Sequence, residues 1–279
     1  MLDVSPNTLR TWERRYGFPR PARSAGGHRQ YALSEIESLR ATLAETHNVS
    51  SAIALARQRG EGPSSASRLA AAFAVFDEDK ANWLLEESLA LRSIERTVDE
   101  VLLDAVATHA ISTPEYEFGW RHASGWLSAL KRVSPPATRA SCVLVLDSSS
   151  SLELDSLYVQ SLELMLRRAG VRTLTLSTRI TPPRLARALP ALDPRAVVLA
   201  GRSISLDALG RLAYAVRAVA RHAVIYDYRG AMPDSGASML RRLGATPLAA
   251  CQAVLNHFDE RRADRPSTPG HPVSALKAH

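Results

Sequence analysis

The spacing of apolar residues predicts two kinds of structure along this chain. In the first half, apolar residues recur every three or four positions, which is typical of amphipathic helices. In the second half, short apolar runs alternate with helical stretches, and this alternation predicts a parallel sheet with helices on both faces. The runs are 142–146, 173–176, 196–200 and 223–226, and the helical stretches are 153–169, 182–192, 206–220, 235–243 and 250–262.

Breaks in these patterns divide the chain into segments. Residues 60–65 have the composition of a linker, and a proline pair at 135–136 precedes the first apolar run. The C-terminal residues are rich in proline and polar side chains, which is typical of disorder. The expected organisation is an N-terminal domain over 1–60, a four-helix bundle over 66–133, an α/β domain over 139–262 and a disordered tail over 263–279.

The expected bundle has recognisable helix starts. Asp77, Ser93 and Thr113 each stand where a polar side chain can cap a helix. Four helices with short connections predict antiparallel packing. Along the last helix a stripe recurs every four residues, and it favours a packed core over a cofactor-binding surface; its members are Phe118, His122, Trp126 and Leu130.

The first helix has well-defined ends. Ser5 supplies an N-cap side chain, Pro6 suits the first helical position, and Gly17 can take the left-handed conformation that ends a helix. One face of this helix is apolar and is expected to pack inward through Leu9, Trp12 and Tyr16. The other face carries arginines, so it is suited to lie along phosphates and reach base edges.

The segment after this helix is expected to form a small antiparallel wing followed by two short helices. Gly26 and Gly27 read as the turn of a hairpin that presents Arg29 and Tyr31. A capping box at 34–37 opens a helix through about residue 45, and a second helix spans about 50–59. The inward side chains of these helices are expected to be Ile36, Leu39, Leu43, Ile53 and Ala56.

Charge is concentrated at the N-terminus. The formal net charge of the 279 residues is +7, and residues 1–31 hold six arginines against Asp3 and Glu13, a net +4. A basic segment of this kind is the electrostatic signature of a DNA-binding face. No apolar run reaches the length of a membrane helix, and the two cysteines form no disulfide framework. We therefore expect a cytoplasmic protein with no membrane partner.

The N-terminal block resembles the DNA-binding module of the MerR family, whose members read SPxTLRxWERRYG followed by RxxGGxRxY. The match is dense from Val4 to Tyr31. It implies a winged helix-turn-helix that binds a double-stranded operator as a dimer or higher oligomer, with RNA polymerase as a further candidate partner. Threonines would lie nearest the bases and basic residues along the backbone. The implied DNA-binding residues are Thr8, Arg10, Thr11, Arg14, Arg15, Arg20, Arg23, His28, Arg29 and Tyr31.

The resemblance departs from the family at its start. The family module begins with an earlier helix, whereas only four residues precede Ser5 here. Without that helix, Leu9 and Trp12 would lose packing partners. We therefore expect the module to be completed by a segment upstream of Met1.

The order of the three domains resembles the CarH/LitR-type regulators, in which the last two domains clamp adenosylcobalamin and sense light. This resemblance implies a multidomain α and α/β protein whose last domain is a doubly wound parallel sheet of the B12-binding, Rossmann-like type. The family pattern E/D-x-H-x-x-G supplies the histidine that ligates cobalt. Here Glu153 is followed by Leu154 and Asp155, so a carboxylate stands at the imidazole position. A carboxylate is a poor substitute for imidazole on cobalt.

Three other features of that family are changed. The tryptophan and Glu-His pair of the bundle is replaced around Trp120 and His122. The family has a small residue after the third strand, where this chain has Gly201-Arg202-Ser203. It has a pair of glycines after the fourth strand, where this chain has Tyr228-Arg229. The sequence therefore predicts that cobalamin is not bound through a histidine.

The crevice at the carboxyl ends of the strands is still a candidate binding site, because open α/β sheets bind ligands there. Its occupant is unknown: another tetrapyrrole, a different planar molecule and no ligand at all stay open. For His109 and His122, the sequence favours a hydrogen-bonded structural role over a role as ligands. The candidate ligand-binding residues are Trp120, His122, Ser149, Asp155, Arg202, Ser203, Tyr226, Tyr228 and Arg229.

Enzyme chemistry has no positive support in the sequence. The sequence shows no arrangement of Ser, His and Asp typical of a catalytic triad, no phosphate-binding Walker loop and no zinc-ligand spacing. We therefore expect no catalytic residue and no metal site. The expected function is a DNA-binding transcriptional regulator with a sensor derived from a cobalamin-binding domain. Two alternatives are a true B12-dependent light-responsive repressor and a cobalamin-dependent methyltransferase or mutase subunit.

Overall fold

The computed structural model describes residues 5–19, 21–23, 29–31, 36, 39–40, 42–43, 46, 48–58, 64–201, 205–231 and 240–263. The chain divides into two compact units. The first comprises Met1–Ala129 with Leu152–Leu157, and the second comprises Leu130–Ser151 with Tyr158–His279. Several predicted features lie outside the described residues. They are the turn at Gly26 and Gly27, the capping-box residues Ser34 and Glu37, and the tail from residue 264. Residues 1–4 are also outside them.

Helix α1 (Pro6–Tyr16) has the ends that the sequence predicts. The Ser5 side chain accepts a hydrogen bond from the Thr8 backbone N–H, and Pro6 occupies the first turn. Gly17 has φ 63° and ψ 25°, and its N–H donates to the Glu13 carbonyl. A left-handed residue that returns its N–H to the last turn satisfies carbonyls that would otherwise lack a partner. These confirmed caps fix where the arginine-bearing helix begins and ends.

The wing and the small core beside it are also confirmed. Strand β1 (Pro21–Arg23) pairs antiparallel with β2 (Arg29–Tyr31), and helix α2 spans Val49–Gln58. The described residues at 36, 39–40, 42–43 and 46 are helical. The buried cluster consists of Trp12, Phe18, Leu39, Ile53 and Ala56, with Leu9, Tyr16, Leu43 and Val49 packed against it. The apolar face of α1 therefore packs inward.

Four helical segments follow, as predicted. They are α3 (Ala66–Ala74), α4 (Glu78–Leu91), a third segment built from α5 (Ile94–Thr97), a π-helical turn (Val98–Leu102) and α6 (Leu103–Ala107), and then α7 (Pro114–Arg132). The Asp77 side chain accepts from the Lys80 N–H at 2.9 Å, Ser93 accepts from Arg96 N–H at 3.3 Å, and Thr113 accepts from Tyr116 N–H at 3.2 Å. All three predicted caps are confirmed.

The predicted stripe along α7 lies at the border of the buried face. Phe118, His122, Trp126 and Leu130 are only partly buried. The fully buried positions are Tyr116, Gly119, Ala123 and Leu127. A Cβ at Gly119 would stand 2.8 Å from Cδ2 of Phe73, so the helix approaches that ring closely because glycine has no side chain. The buried face of α7 therefore lies beside the predicted stripe. Residues four positions apart do not stay on one face, because the helix has 3.6 residues per turn.

The second half forms the predicted parallel sheet. Its strands are β3 (Cys142–Asp147), β4 (Arg172–Ser177), β5 (Pro194–Ala200), β6 (Val224–Tyr228) and β7 (Arg241–Arg242), in the order β4-β3-β5-β6-β7. All four neighbouring pairs are parallel. The helices are α8 (Leu154–Arg168), α9 (Pro182–Leu192), α10 (Leu206–Val219) and α11 (Pro247–Ala263).

One element differs from the prediction. A helix was expected over 235–243, but Arg241 and Arg242 form strand β7, and residues 232–239 lie outside the described part. Arg241 pairs with Tyr226 and Arg242 with Asp227, and the Leu243 N–H donates to the Asp227 carbonyl. This pairing satisfies backbone groups of β6 that an edge would leave open. The predicted helix was wrong at residues 241–242, because their conformation is set by pairing with β6.

Both faces of the sheet are covered. Leu144 and Leu146 of β3 belong to a cluster with Leu185 of α9 and Leu212 of α10. Alternate residues of a strand point to opposite faces, and Val143 and Val145 are also fully buried. The continuous apolar runs of the sequence are thus explained by burial on two sides. Within the described part of the chain, no helix combines the length and apolar character needed to cross a membrane.

Candidate functional site

The outer face of α1 presents a row of polar and basic side chains. Arg10, Thr11, Arg14 and Arg15 are exposed, and Thr8 is partly buried. Arg10 Nη1 donates to Asn7 Oδ1 at 3.4 Å, and Thr11 Oγ1 donates to the Asn7 carbonyl at 2.9 Å. Among the described residues, no carboxylate pairs with the three arginines of this face. Their charges are therefore available to an external anion.

Glu13 connects α1 to the wing. Its Oε2 atom accepts from Arg29 Nε and from the Tyr31 hydroxyl, both at 3.1 Å. Burial and the hydrogen bond to Glu13 raise the pKa of Tyr31, so its hydroxyl stays a donor at neutral pH. Arg29 and Tyr31 were expected to contact DNA. In this structure both hold the wing to the helix, and the side chain of Arg29 is still 41% exposed. Glu13 is the only acid on this arginine-rich helix, and the sequence pattern gave no sign that it joins the helix to the wing.

Removal of the Glu13 carboxylate is expected to reduce the selectivity of DNA binding. Glu13→Ala frees the wing, but it also removes a negative charge and so strengthens contact with any phosphate backbone. We expect the ratio of affinities for a preferred duplex and a scrambled duplex to fall several-fold, because an exposed pair of this kind contributes about 0.2–1 kcal/mol. Fluorescence anisotropy with both duplexes measures the ratio. Glu117→Ala, which removes an equally charged side chain from α7, is the control and should leave it unchanged.

Three further predicted DNA-binding residues have no described side chain. Arg20 and His28 lie outside the described residues, as does the side chain of Arg23, whose backbone belongs to β1.

The loops after β3 and β5 meet at the carboxyl edge of the sheet. The Ser148 N–H and hydroxyl both donate to the Ala200 carbonyl, at 2.9 and 2.8 Å. Gly201 has φ +85°, and a Cβ there would lie 2.8 Å from the Ser149 nitrogen. Since the chain passes from β3 to the edge strand β4 and then back to β5, these loops flank the switch in strand order where such sheets bind ligands. The predicted residue Ser149 lies here, with its hydroxyl on Asp147 Oδ1 at 2.6 Å. Arg202 and Ser203 lie outside the described residues.

A second group of predicted ligand residues follows β6. Tyr226 and Tyr228 are buried within the strand, at 3% and 0% exposure, so neither side chain lines an open slot. The next residue, Arg229, takes the left-handed conformation with φ 62°. Its guanidinium carbon lies 3.8 Å from the ring centroid of Tyr158, and Nη1 donates to the Ala245 carbonyl at 3.4 Å. Arg229 therefore packs on Tyr158, whereas Tyr228 is buried within its strand.

Tyr158 could have been identified from the sequence. It stands at the glycine position of the pattern E/D-x-H-x-x-G when Glu153 and Asp155 take the acidic and histidine positions. Asp155 itself lies in the first turn of α8. A carboxylate is favourable there, because backbone N–H groups at a helix N-terminus attract negative charge. A carboxylate therefore suits this position of α8 without any metal.

Trp120 and His122 of α7 are engaged within the first unit. The Trp120 indole N–H donates to the Glu153 carbonyl at 3.0 Å, which also accepts from Ser156 Oγ at 2.6 Å. His122 Nε2 lies 3.0 Å from Asn82 Oδ1, and its ring is 5.6 Å from that of Phe73. His122 Nδ1 is buried and has no hydrogen-bond partner among the described residues. His109 Nε2 likewise lies 3.0 Å from the Ala70 carbonyl. Both histidines are hydrogen-bonded in the structure, as the sequence favoured.

Acid is expected to destabilise the first unit through His122. Burial lowers the pKa of His122, with an opposing contribution from Glu78. The unfolded chain takes up a proton near the ordinary histidine pKa of ~6.5, whereas the folded protein resists it. The unfolded state thus binds more protons below that pH, so stability is present above pH ~6.5 and falls as the pH drops toward the folded-state pKa.

The measurement is urea denaturation followed between neutral and mildly acidic pH. His122→Gln keeps a donor for Asn82 but cannot titrate, so its unfolding free energy should lose this part of the pH dependence. An identical pH slope in the wild type and the variant would rule His122 out as the cause.

Comparison with known proteins identifies the N-terminal segment. Residues 1–31 match the family described as "MerR family regulatory protein". The N-terminal segment is of the MerR type. The HTH-type transcriptional repressor CarA of Myxococcus xanthus is 34% identical over 113 residues, which are 37% of this chain and 39% of CarA. The HTH-type transcriptional regulator MlrA of Escherichia coli strain K12 is 45% identical over 40 residues, which are 14% of this chain and 16% of MlrA. The match thus spans about two fifths of CarA and a sixth of MlrA.

The structure also resembles the monomethylamine corrinoid protein of Methanosarcina barkeri. The TM-score is 0.50 at 12% identity, and the similarity covers 68% of this chain and 96% of that protein. The similarity shows a shared cobalamin-binding-like fold. The residues of this chain do not fit cobalamin in the histidine-ligated mode: Asp155 replaces the imidazole, and Tyr158 packs on Arg229 where the family pattern has glycine.

Proposed function

We propose that this chain is a DNA-binding transcriptional regulator whose α/β domain acts as its sensor. The observation that carries the proposal is the outer face of α1, where three arginines and two threonines stand beside a wing fixed by Glu13. A capped helix with guanidinium groups that have no carboxylate partner among the described residues is suited to a polyanion. The MerR-type segment and the two transcriptional relatives support the same proposal.

Within this proposal, the long and the short side chains of α1 contact different parts of the DNA. Arg10, Arg14 and Arg15 bind phosphates or base edges, because they are long, charged and exposed. Thr8 and Thr11 lie nearest the bases, since a short side chain contacts a base only where the helix axis comes close to the groove. Arg29 approaches the backbone through the exposed part of its guanidinium while Glu13 holds it in place. Arg20, Arg23 and His28 complete the proposed surface.

The protein binds its operator as a dimer or higher homo-oligomer. One helix of 11 residues contacts too few base pairs for genomic specificity, so two copies on a pseudo-palindromic site are required. RNA polymerase is a further proposed partner. The proposal places the protein in the cytoplasm, where its DNA is, and assigns it no catalytic reaction.

The sensor domain does not bind cobalamin through a histidine in this proposal. The similarity to a corrinoid protein favours the alternative of a corrinoid-carrying enzyme subunit, because the fold is the same. The stacked pair of Tyr158 and Arg229 and the carboxylate of Asp155 oppose that alternative. The same residues oppose a cobalamin-dependent light-responsive repressor.

Selection from a pool of random DNA duplexes tests the proposal. The full chain is incubated with the pool at physiological salt, and bound duplexes are recovered and sequenced over several rounds. We expect enrichment of one motif with two inverted half-sites, because a symmetric dimer reads the two strands alike. A pool that stays random after selection, with binding that depends on salt alone, would refute sequence-specific recognition.

A further inference from the structure

A polar cavity lies at the carboxyl edge of the sheet and is not explained by the proposed DNA binding. Its volume is about 520 Å³. The loops after β3, β4 and β5 all contribute to it, within the second unit. Its lining residues are Ser148, Ser149, Ser150, Ser151, Ser177, Thr178, Arg179 and Ser205.

The chemistry of this lining is uniform. Seven of the eight lining residues within the described part of the chain carry hydroxyl groups, and Arg179 is the charged one among them. No carboxylate or aromatic ring is among them. The nearest acid along the chain is Asp147, whose Oδ1 atom already accepts from the Ser149 N–H at 2.8 Å and the Ser149 hydroxyl at 2.6 Å. The hydroxyl hydrogens of Ser148 and Ser149 are already donated, to the Ala200 carbonyl and to Asp147 Oδ1. The other hydroxyls and the guanidinium group are donors suited to the oxygens of an anion.

The walls of the cavity are held in place before any ligand arrives. Ser148 is fixed to the Ala200 carbonyl by two hydrogen bonds, and only glycine fits at position 201 against the Ser149 backbone. The Arg179 N–H donates to Ser177 Oγ at 3.2 Å, which orders the loop that carries the guanidinium. A site that is ordered in advance loses little entropy on binding.

We propose that this cavity binds the phosphate group of a small phosphorylated metabolite, which is the signal that the sensor domain detects. This inference rests on the sensor role proposed above. The cavity is within the range of ~300–1,000 Å³ that is usual for small-molecule sites, so it holds a phosphate with an attached polar group. A corrin ring or another large apolar molecule would find little apolar surface here, because the lining is mainly polar. Arg179 supplies the charge that discriminates a phosphate ester from an uncharged polyol.

Calorimetric titration of the full chain tests the inference with three probes: inorganic phosphate, ribose 5-phosphate and ribose. We expect both phosphate compounds to bind and to compete with one another, with ribose at least tenfold weaker than its phosphate. Arg179→Gln should weaken the binding of ribose 5-phosphate about tenfold or more, because a charge-assisted hydrogen bond is lost. Thr178→Val, which replaces a lining hydroxyl by a methyl group, should weaken it less.

The matched control is Arg187→Gln, an exposed arginine on α9 that does not line the cavity. It makes the same change in net charge and should leave the affinity unchanged. The phosphate assignment is overturned if ribose binds as tightly as its phosphate, if Arg179→Gln behaves like Arg187→Gln, or if neither phosphate compound binds at millimolar concentration. Selection of DNA duplexes by the same preparation is an independent readout, so failure of the cavity and failure of DNA binding are distinguished.

Discussion

The double substitution Arg10→Ala and Arg14→Ala is expected to weaken binding to the selected duplex about a hundredfold or more at physiological salt. The two side chains lie one turn apart on the exposed face of α1, and each contact to a phosphate or base contributes ~1–3 kcal/mol. Loss of two phosphate contacts should also lower the slope of log affinity against log salt by about 1.8. Fluorescence anisotropy over a series of salt concentrations gives both quantities.

A matched control separates recognition from net charge. Arg184→Ala with Arg187→Ala removes two exposed arginines from α9, so the total charge changes equally. This control should keep the affinity within about twofold, because these two arginines do not belong to the helix that is proposed to contact DNA. If the α1 variant kept the affinity and the salt slope of the wild type, or if both variants lost affinity equally, the outer face of α1 would not be the binding surface.

Adenosylcobalamin added in the dark is expected not to co-elute with the protein. Asp155 offers cobalt a carboxylate where the family pattern has an imidazole, and Tyr158 with Arg229 fills space that a glycine would leave open. Overfilling a packed site costs ~1–3 kcal/mol for each obstruction, so the two side chains together weaken affinity ~30-fold or more. The lost axial bond adds to this.

Gel filtration with absorption spectroscopy measures the cofactor that travels with the protein. The sample must also bind the selected duplex, which shows that the protein is folded and active. Stoichiometric co-elution of cobalamin, with an oligomeric state that changes on illumination, would restore the light-responsive repressor as the function.

Local features of α1 could be predicted because their causes are local. The Ser5 cap, the proline at the first turn and the left-handed Gly17 depend on residues within one helix, and the structure has all three. The parallel sheet could also be predicted, because a strand that is buried on both faces has a continuous apolar run, which is visible in the sequence. Strand β7 could not, because its conformation depends on pairing with β6 and not on its own sequence.

The candidate site was predicted less completely. The family pattern marks the position of Tyr158, but its contact with Arg229 joins a helix to a loop far along the chain, which the sequence does not reveal. Glu13 was missed because its partners Arg29 and Tyr31 lie on the wing, and the sequence suggested DNA contacts for both. The sequence identified the arginines and the carboxyl edge of the sheet, whereas the fold decided which side chains are already engaged with one another.

Site-directed cross-linking tests most directly whether α1 lies against DNA. Both native cysteines are free and buried, Cys142 at 2% and Cys251 at 4% exposure, so an engineered surface cysteine would be the reactive thiol. Thr11→Cys places that thiol on the outer face of α1, and Ala129→Cys places it on an exposed position of α7 as the control. The selected duplex carries a disulfide-activated tether on one base of a half-site. We predict a cross-link with Thr11→Cys and none with Ala129→Cys; no cross-link from Thr11→Cys, or equal yields from the two variants, would contradict DNA recognition by α1.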